Sequence, residues 1–282
     1  MTTRREFVQT LAASAAAVPA LRSLGPLLTP PAHHLAPLGV QLYTVRASMQ
    51  QDVARTLARV RGIGYREVEF AGYFGKSAKE LKTALRHEGL SSPSAHVSLE
   101  DLTTKLEPTL EAAAEVGHRW LILAWIDEQD RTLEGIERIA GLLNLAGDRA
   151  SRFGIRVAYH NHFFEFHPYP DGTTPLGELI KRLEPTHCDL ELDLYWTVKG
   201  GSEPRTWFER FPGRFPLVHV KDAGPAPDFV MHDVGAGVMD WKKIFAERRL
   251  AGIQHYFVEH DEPVDPWASI TASYRYLSRL DV

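Results

Sequence analysis

Eight β-type runs alternating with eight helical patterns predict a single (β/α)8 barrel spanning about 245 residues, Pro37 to Val282. Two further observations agree. Glycines and prolines fall at the predicted helix ends, and no linker-like or low-complexity stretch divides this body.

The predicted strands are Gly39 to Tyr43, Glu67 to Phe70, Pro93 to Val97, Trp120 to Ala124, Arg156 to His160, Leu190 to Leu194, Leu217 to Lys221 and Tyr256 to Glu259. Helices are expected over Asp52 to Arg61, Ala78 to Glu88, Lys105 to Val116, Thr132 to Arg152, Pro175 to Leu183, Pro204 to Phe208, Trp241 to Arg249 and Pro266 to Leu280. Gly89, Gly117 and Gly154 follow three of them where a left-handed cap falls, and Pro175, Pro204 and Pro266 suit a first helical turn. The competing architecture, a doubly wound open sheet, lacks a glycine-rich phosphate loop after any strand.

Residues 1–31 read as a leader. Arg4-Arg5 with Phe7, an Ala-rich run from Leu11 to Leu21 and the small-residue site Val18-Pro19-Ala20 resemble a twin-arginine export signal. The run is too short and too rich in alanine for a stable membrane span, so the expected product is a periplasmic or exported protein with no span after leader removal. Lys+Arg 32 against Asp+Glu 36 gives a net charge of −4, and losing Arg4, Arg5, Arg22 and Glu6 leaves −6. That acidic body argues against nucleic acid as a partner. A lone cysteine, Cys188, rules out an internal disulfide framework and a multi-thiolate zinc site. The 13 histidines, with Asp and Glu, remain as metal ligands. A homo-oligomer is compatible with the sequence and not specified by it.

A barrel of this kind builds its site at the C-terminal strand ends. The period-2 pattern of Leu190-Glu191-Leu192-Asp193-Leu194 sends the leucines outward and Glu191 and Asp193 inward. The same parity points His219 and Lys221 inward on the seventh strand and Glu259 inward at the end of the eighth. The fifth strand ends in His160-Asn161-His162-Phe163-Phe164-Glu165. Two carboxylates and an imidazole on adjacent strand ends, with a donor from the fifth strand, make a mixed N/O site for one divalent ion: Mn, Mg, Co, Fe or Zn. Acidic groups set so close would repel one another without a cation.

Five pieces in order, Gly39 to Arg46, Tyr159 to Phe166, Glu191 to Trp196, Val218 to Asp222 and Phe257 to Asp261, resemble the sugar phosphate isomerase/epimerase family, the xylose-isomerase-like barrels. The resemblance implies a catalytic divalent metal held by an acidic or His group from strand five, Asp193, His219 and Glu259. The fifth-strand ligand is either His160, where many members carry Glu, or Glu165. Glu165 is preferred because three carboxylates and one imidazole better neutralise a dication. His162 is then the candidate proton-transfer group, or alternatively a residue that orients Glu165; His160 lies beside it, and Lys221 is placed to meet a substrate oxygen or to pair with Glu191 or Asp222. His96, Trp196 and Tyr43 are candidate contacts to a sugar, with Phe74 and Trp125 as further aromatic walls.

The reaction expected is proton abstraction next to a sugar carbonyl, giving isomerisation or epimerisation. The alternative is a lyase or dehydratase acting on a keto-sugar or keto-glycoside by enolate-type elimination. A metal-dependent nuclease is disfavoured, because Trp196 stands where a second-metal histidine would be wanted. A non-catalytic sugar-binding barrel is a third class.

Overall fold

The computed structural model describes residue 35 and residues 37–282. The expected leader lies outside the described residues. Strands β1 (Leu38–Gln41), β2 (Glu67–Ala71), β3 (Ser91–Val97), β4 (Trp120–Leu123), β5 (Arg156–His160), β6 (Cys188–Asp193), β7 (Leu217–Val220) and β10 (His255–Val258) are all parallel and close into one barrel in that order. Strands β8 (Asp222–Ala223) and β9 (Met231–His232) form a small antiparallel pair beyond β7. The chain is a (β/α)8 barrel, as the alternation predicts.

Strand parity decides which side chains meet. Val68, Leu190, Leu192, Val218, Val220, Tyr256 and Val258 face the helices and join the large core between sheet and helix ring. Trp120, Ile122, Ala158, Leu217 and Phe257 form a second apolar cluster that plugs the barrel interior. Gly39 faces this plug, where an added Cβ would lie 2.5 Å from the Phe257 ring, so no larger residue fits without moving the ring. Below it, Trp120 Nε1 donates to Asp189 Oδ2 at 2.8 Å and His255 meets Glu67 at 2.7 Å. The mouth side is left to the charged groups.

Helix ends follow the local chemistry. Gly89 (φ 63°), Gly117 (φ 102°) and Gly154 (φ 70°) are left-handed, and Pro175, Pro204 and Pro266 open their helices. Among the boundaries that differ from the sequence reading, three have a clear local cause. Gln41 accepts a hydrogen bond from the Tyr43 N–H at 3.0 Å, so β1 stops at Gln41 and a 3-10 turn begins. The Asp193 carboxylate accepts from the Trp196 N–H at 2.8 Å, ending β6 and starting a short helix, Leu194–Lys199, in place of the predicted strand end. After β7 the buried Asp222 accepts from the backbone N–H groups of Ala223, Gly235 and Met239 and from Trp241 Nε1, which pins the β8–β9 excursion. Among the described residues no helix is long and apolar enough to cross a membrane.

Candidate metal centre and substrate cavity

Parity and barrel closure bring Asp193, His219 and Glu259 together. Register places Asp193 opposite His219, and His160 opposite Glu191. The ligand atoms of Asp193, His219 and Glu259 lie within 4.8 Å of one another, as do those of His96, His160, Glu191 and His219. His219 Nδ1 is 2.9 Å from Glu259 Oε2 and 3.9 Å from Asp193 Oδ2, while His160 Nε2 is also 3.9 Å from Asp193 Oδ2. Asp193 Oδ2 is buried, and apart from the ion-pair contact with Lys221 Nζ at 3.0 Å it has no hydrogen-bond partner. Metal–ligand bonds of about 2.0–2.2 Å set neighbouring ligand atoms roughly 3–3.5 Å apart. Asp193, His219 and Glu259, from three successive strand ends, therefore form one group that could hold a divalent ion, and His160 Nε2 approaches that group on the Asp193 side.

The second nitrogens of both imidazoles strengthen that fit. His160 Nδ1 is 3.0 Å from Glu191 Oε2, and His219 Nε2 is 2.7 Å from Glu69 Oε1. A carboxylate behind each ring fixes its orientation and turns its free nitrogen towards the cluster, as metal-binding histidines require. His96 Nε2 bridges the two carboxylates, 2.8 Å from Glu191 and 3.0 Å from Glu69, and its ring stacks on His219. Gln41 Nε2 donates to Glu69 at 2.8 Å, and the Ser94 hydroxyl donates to its other oxygen. Glu191→Gln is expected to weaken divalent-metal binding about 10- to 100-fold with the fold intact, measured by calorimetric titration with Mn²⁺. Unchanged affinity would dissociate Glu191 from the centre.

Charge follows geometry. Burial opposes a charged His219, yet Glu191 and Glu259 outweigh it and hold the imidazole well above its usual range; Glu69 and Glu191 likewise raise His96 to about 9. Burial, with the cationic neighbours His219, His96 and Lys221, holds His160 well below its usual range. Burial raises Asp193 to about 6 against the pull of Lys221 and His219. Lys221 Nζ contacts Glu259 at 2.6 Å, Asp261 at 2.7 Å and Asp193 at 3.0 Å. These carboxylates, rather than Glu191 or Asp222, are its partners.

Glu165 stands apart from this cluster. Its Oε1 accepts from the Tyr159 hydroxyl at 2.8 Å and its Oε2 from the His162 N–H at 2.9 Å. Tyr159 faces the helix ring, so the 3-10 turn Phe164–Phe166 folds Glu165 back behind the barrel wall. Of the two fifth-strand candidates, the geometry brings His160 to the cluster and not Glu165. His162 stays at the mouth with its Nδ1 buried and unpartnered, its ring 4.9 Å from that of Trp125 and 5.6 Å from that of Trp196. Burial and Lys221 hold this imidazole neutral, lowered to about 3.

Tyr43, His96, His160, His162, Trp196 and Lys221 all line one cavity of about 1090 Å³ over the cluster, which Trp125 and Glu259 also line. Phe74 does not line it. Sequence reasoning missed Glu69 and Asp261 and saw Glu191 only as an inward carboxylate. The alternation Glu67-Val68-Glu69-Phe70 carried the signal for Glu69.

The profile of the xylose isomerase-like TIM barrel family matches residues 57–276. The chain belongs to that family. Its relatives with this barrel include a sugar phosphate isomerase/epimerase from Parabacteroides distasonis ATCC 8503, whose crystal structure superposes with a TM-score of 0.74 at 25% identity over 86% of this chain and 98% of that one. Two inosose dehydratases of Lacticaseibacillus casei, one from strain BL23, are 29% identical over 182 residues, 56% of this chain. The match spans 59% of the length of those curated relatives. The zinc-bound crystal structure of the IolI protein shares the fold, with a TM-score of 0.67 at 15% identity over 85% of this chain and 95% of that one. The His, Asp and Glu side chains of this xylose isomerase-like barrel form a possible metal-binding site in the same kind of fold.

Proposed function

We propose that the protein is a divalent-metal-dependent sugar isomerase or epimerase that removes a proton from the carbon beside a sugar carbonyl. The convergence of His160 Nε2, Asp193 Oδ2, His219 Nδ1 and Glu259 at the floor of the cavity, with both imidazoles backed by carboxylates, is the observation that carries this reading. A divalent ion held by these four would supply Lewis-acid polarisation of the carbonyl and its neighbouring hydroxyl.

The chain's own groups supply the rest. His162 lines the cavity beside His160, has no hydrogen-bond partner on its buried Nδ1, and is the group assigned to accept the proton. Lys221, held by Glu259 and Asp261, lies at the cavity wall where a developing oxyanion would form, and stabilises it by charge. Trp196 lines the cavity and offers an aromatic face to the sugar. Return of the proton to another carbon gives isomerisation, and to the other face epimerisation. Loss of a β-oxygen from the same intermediate would give elimination, a second reading favoured by the inosose dehydratase relatives.

The test is incubation of the metal-loaded protein with ketoses and inososes in D₂O. Deuterium at the carbon beside the carbonyl, lost on adding EDTA, is the expected result, and a turned-over substrate without C–H cleavage would overturn it. The twin-arginine pattern of Arg4 and Arg5 supports an exported, periplasmic setting for this activity.

A further inference from the structure

The cavity is larger than a single sugar ring requires. At about 1090 Å³ it lies just above the roughly 300–1,000 Å³ range of ligand pockets. Its floor is charged, through Lys221 and Glu259 beside the neutral His160, and its outer tier is aromatic. His162, Trp125, Trp196 and Phe163 form one continuous run of rings from floor to rim, with Trp196 5.7 Å from Phe163.

These outer rings are costly to leave in water. Trp125 is 50% exposed, Tyr43 42% and Phe163 38%, and all three line this cavity, as does the exposed Val230. Apolar side chains scattered singly over a surface need no explanation, whereas a cluster around one opening marks a binding surface. Trp125 is also held in place: the Arg131 guanidinium lies over its ring at 4.8 Å, and His162 meets it edge-on. A pre-positioned, half-exposed indole is prepared for a planar apolar partner.

We propose that this outer tier is a second subsite, which takes the apolar, planar aglycone of a glycoside whose sugar ring occupies the charged floor. The substrate class is thus an aryl-type glycoside in its carbonyl-bearing form rather than a free monosaccharide. This assignment rests on the sugar-carbonyl reading of the floor, and its test needs no turnover.

The full chain, with and without added Mg²⁺, is titrated with phenyl β-D-glucopyranoside, methyl β-D-glucopyranoside and cellobiose, followed by calorimetry and indole fluorescence. The phenyl glycoside is expected to bind about tenfold more tightly than the methyl glycoside, the scale of one aromatic pair, with cellobiose close to the methyl compound. Trp125→Ala and Phe163→Ala should each reduce that preference. Equal affinity for phenyl and methyl glycosides, no binding of any of the three at the solubility limit, a preference that survives both substitutions, or cellobiose matching the phenyl compound would each overturn the proposal. A phenyl preference without deuterium exchange on any sugar keeps the subsite and defeats the reaction assignment. Exchange without the preference does the reverse.

Discussion

Asp193→Asn is expected to abolish stoichiometric binding of a divalent metal, from about one equivalent to under about a tenth, while the protein remains folded. Asn keeps an oxygen for the Trp196 N–H, so the cap on the helix Leu194–Lys199 survives, but it removes the charge that His160 and His219 face. Metal at a hundred times its dissociation constant stabilises the native state by about 2.7 kcal/mol, which for a barrel of this size raises the melting temperature by roughly 5–10 °C. That rise should be present in the wild type and absent in Asp193→Asn. Full metal content in the variant, measured by elemental analysis, would remove Asp193 from the ligand set.

The second large effect concerns His162. His162→Ala should slow solvent deuterium exchange at the carbon beside the sugar carbonyl by about 10²-fold or more, with metal content retained, the scale expected on losing a general base. The two readouts separate roles. The ring packs between Trp125 and Trp196 at the cavity wall, while its backbone N–H, which Ala keeps, continues to donate to Glu165. Exchange at the wild-type rate would move the proton-transfer role elsewhere, and joint loss of metal and exchange would make His162 a support of the centre.

Parity made much of this centre readable before any coordinates. Alternation along Leu190 to Asp193, Leu217 to Lys221 and Tyr256 to Glu259 is enough to say that Asp193, His219, Lys221 and Glu259 point inward, because one face of each strand must meet apolar helices. Distances across the barrel are a different matter. That Glu69 backs His219 depends on barrel closure between strands far apart in sequence, and that Glu191 backs His160 depends on the register of β5 on β6; periodicity encodes neither.

Glu165 lies beyond the reach of strand parity. Parity ends with β5, and the 3-10 turn that follows carries Glu165 to the outward-facing Tyr159 hydroxyl, so a preference based on charge count chose the wrong side of the wall. The same holds for Leu194, drawn as a strand end although Asp193 doubles as a helix cap. Lys221 and Asp222 are adjacent and therefore face opposite ways, a consequence of parity that already argued against pairing them.

One divalent ion is proposed to sit among His160, Asp193, His219 and Glu259. Crystals of the protein grown with Mn²⁺ and measured for anomalous scattering test it most directly. One strong peak is expected within about 2.0–2.3 Å of His160 Nε2, Asp193 Oδ2, His219 Nδ1 and a Glu259 oxygen, with Glu165 still bonded to Tyr159. A peak on Glu165, or none among these four side chains, would contradict it.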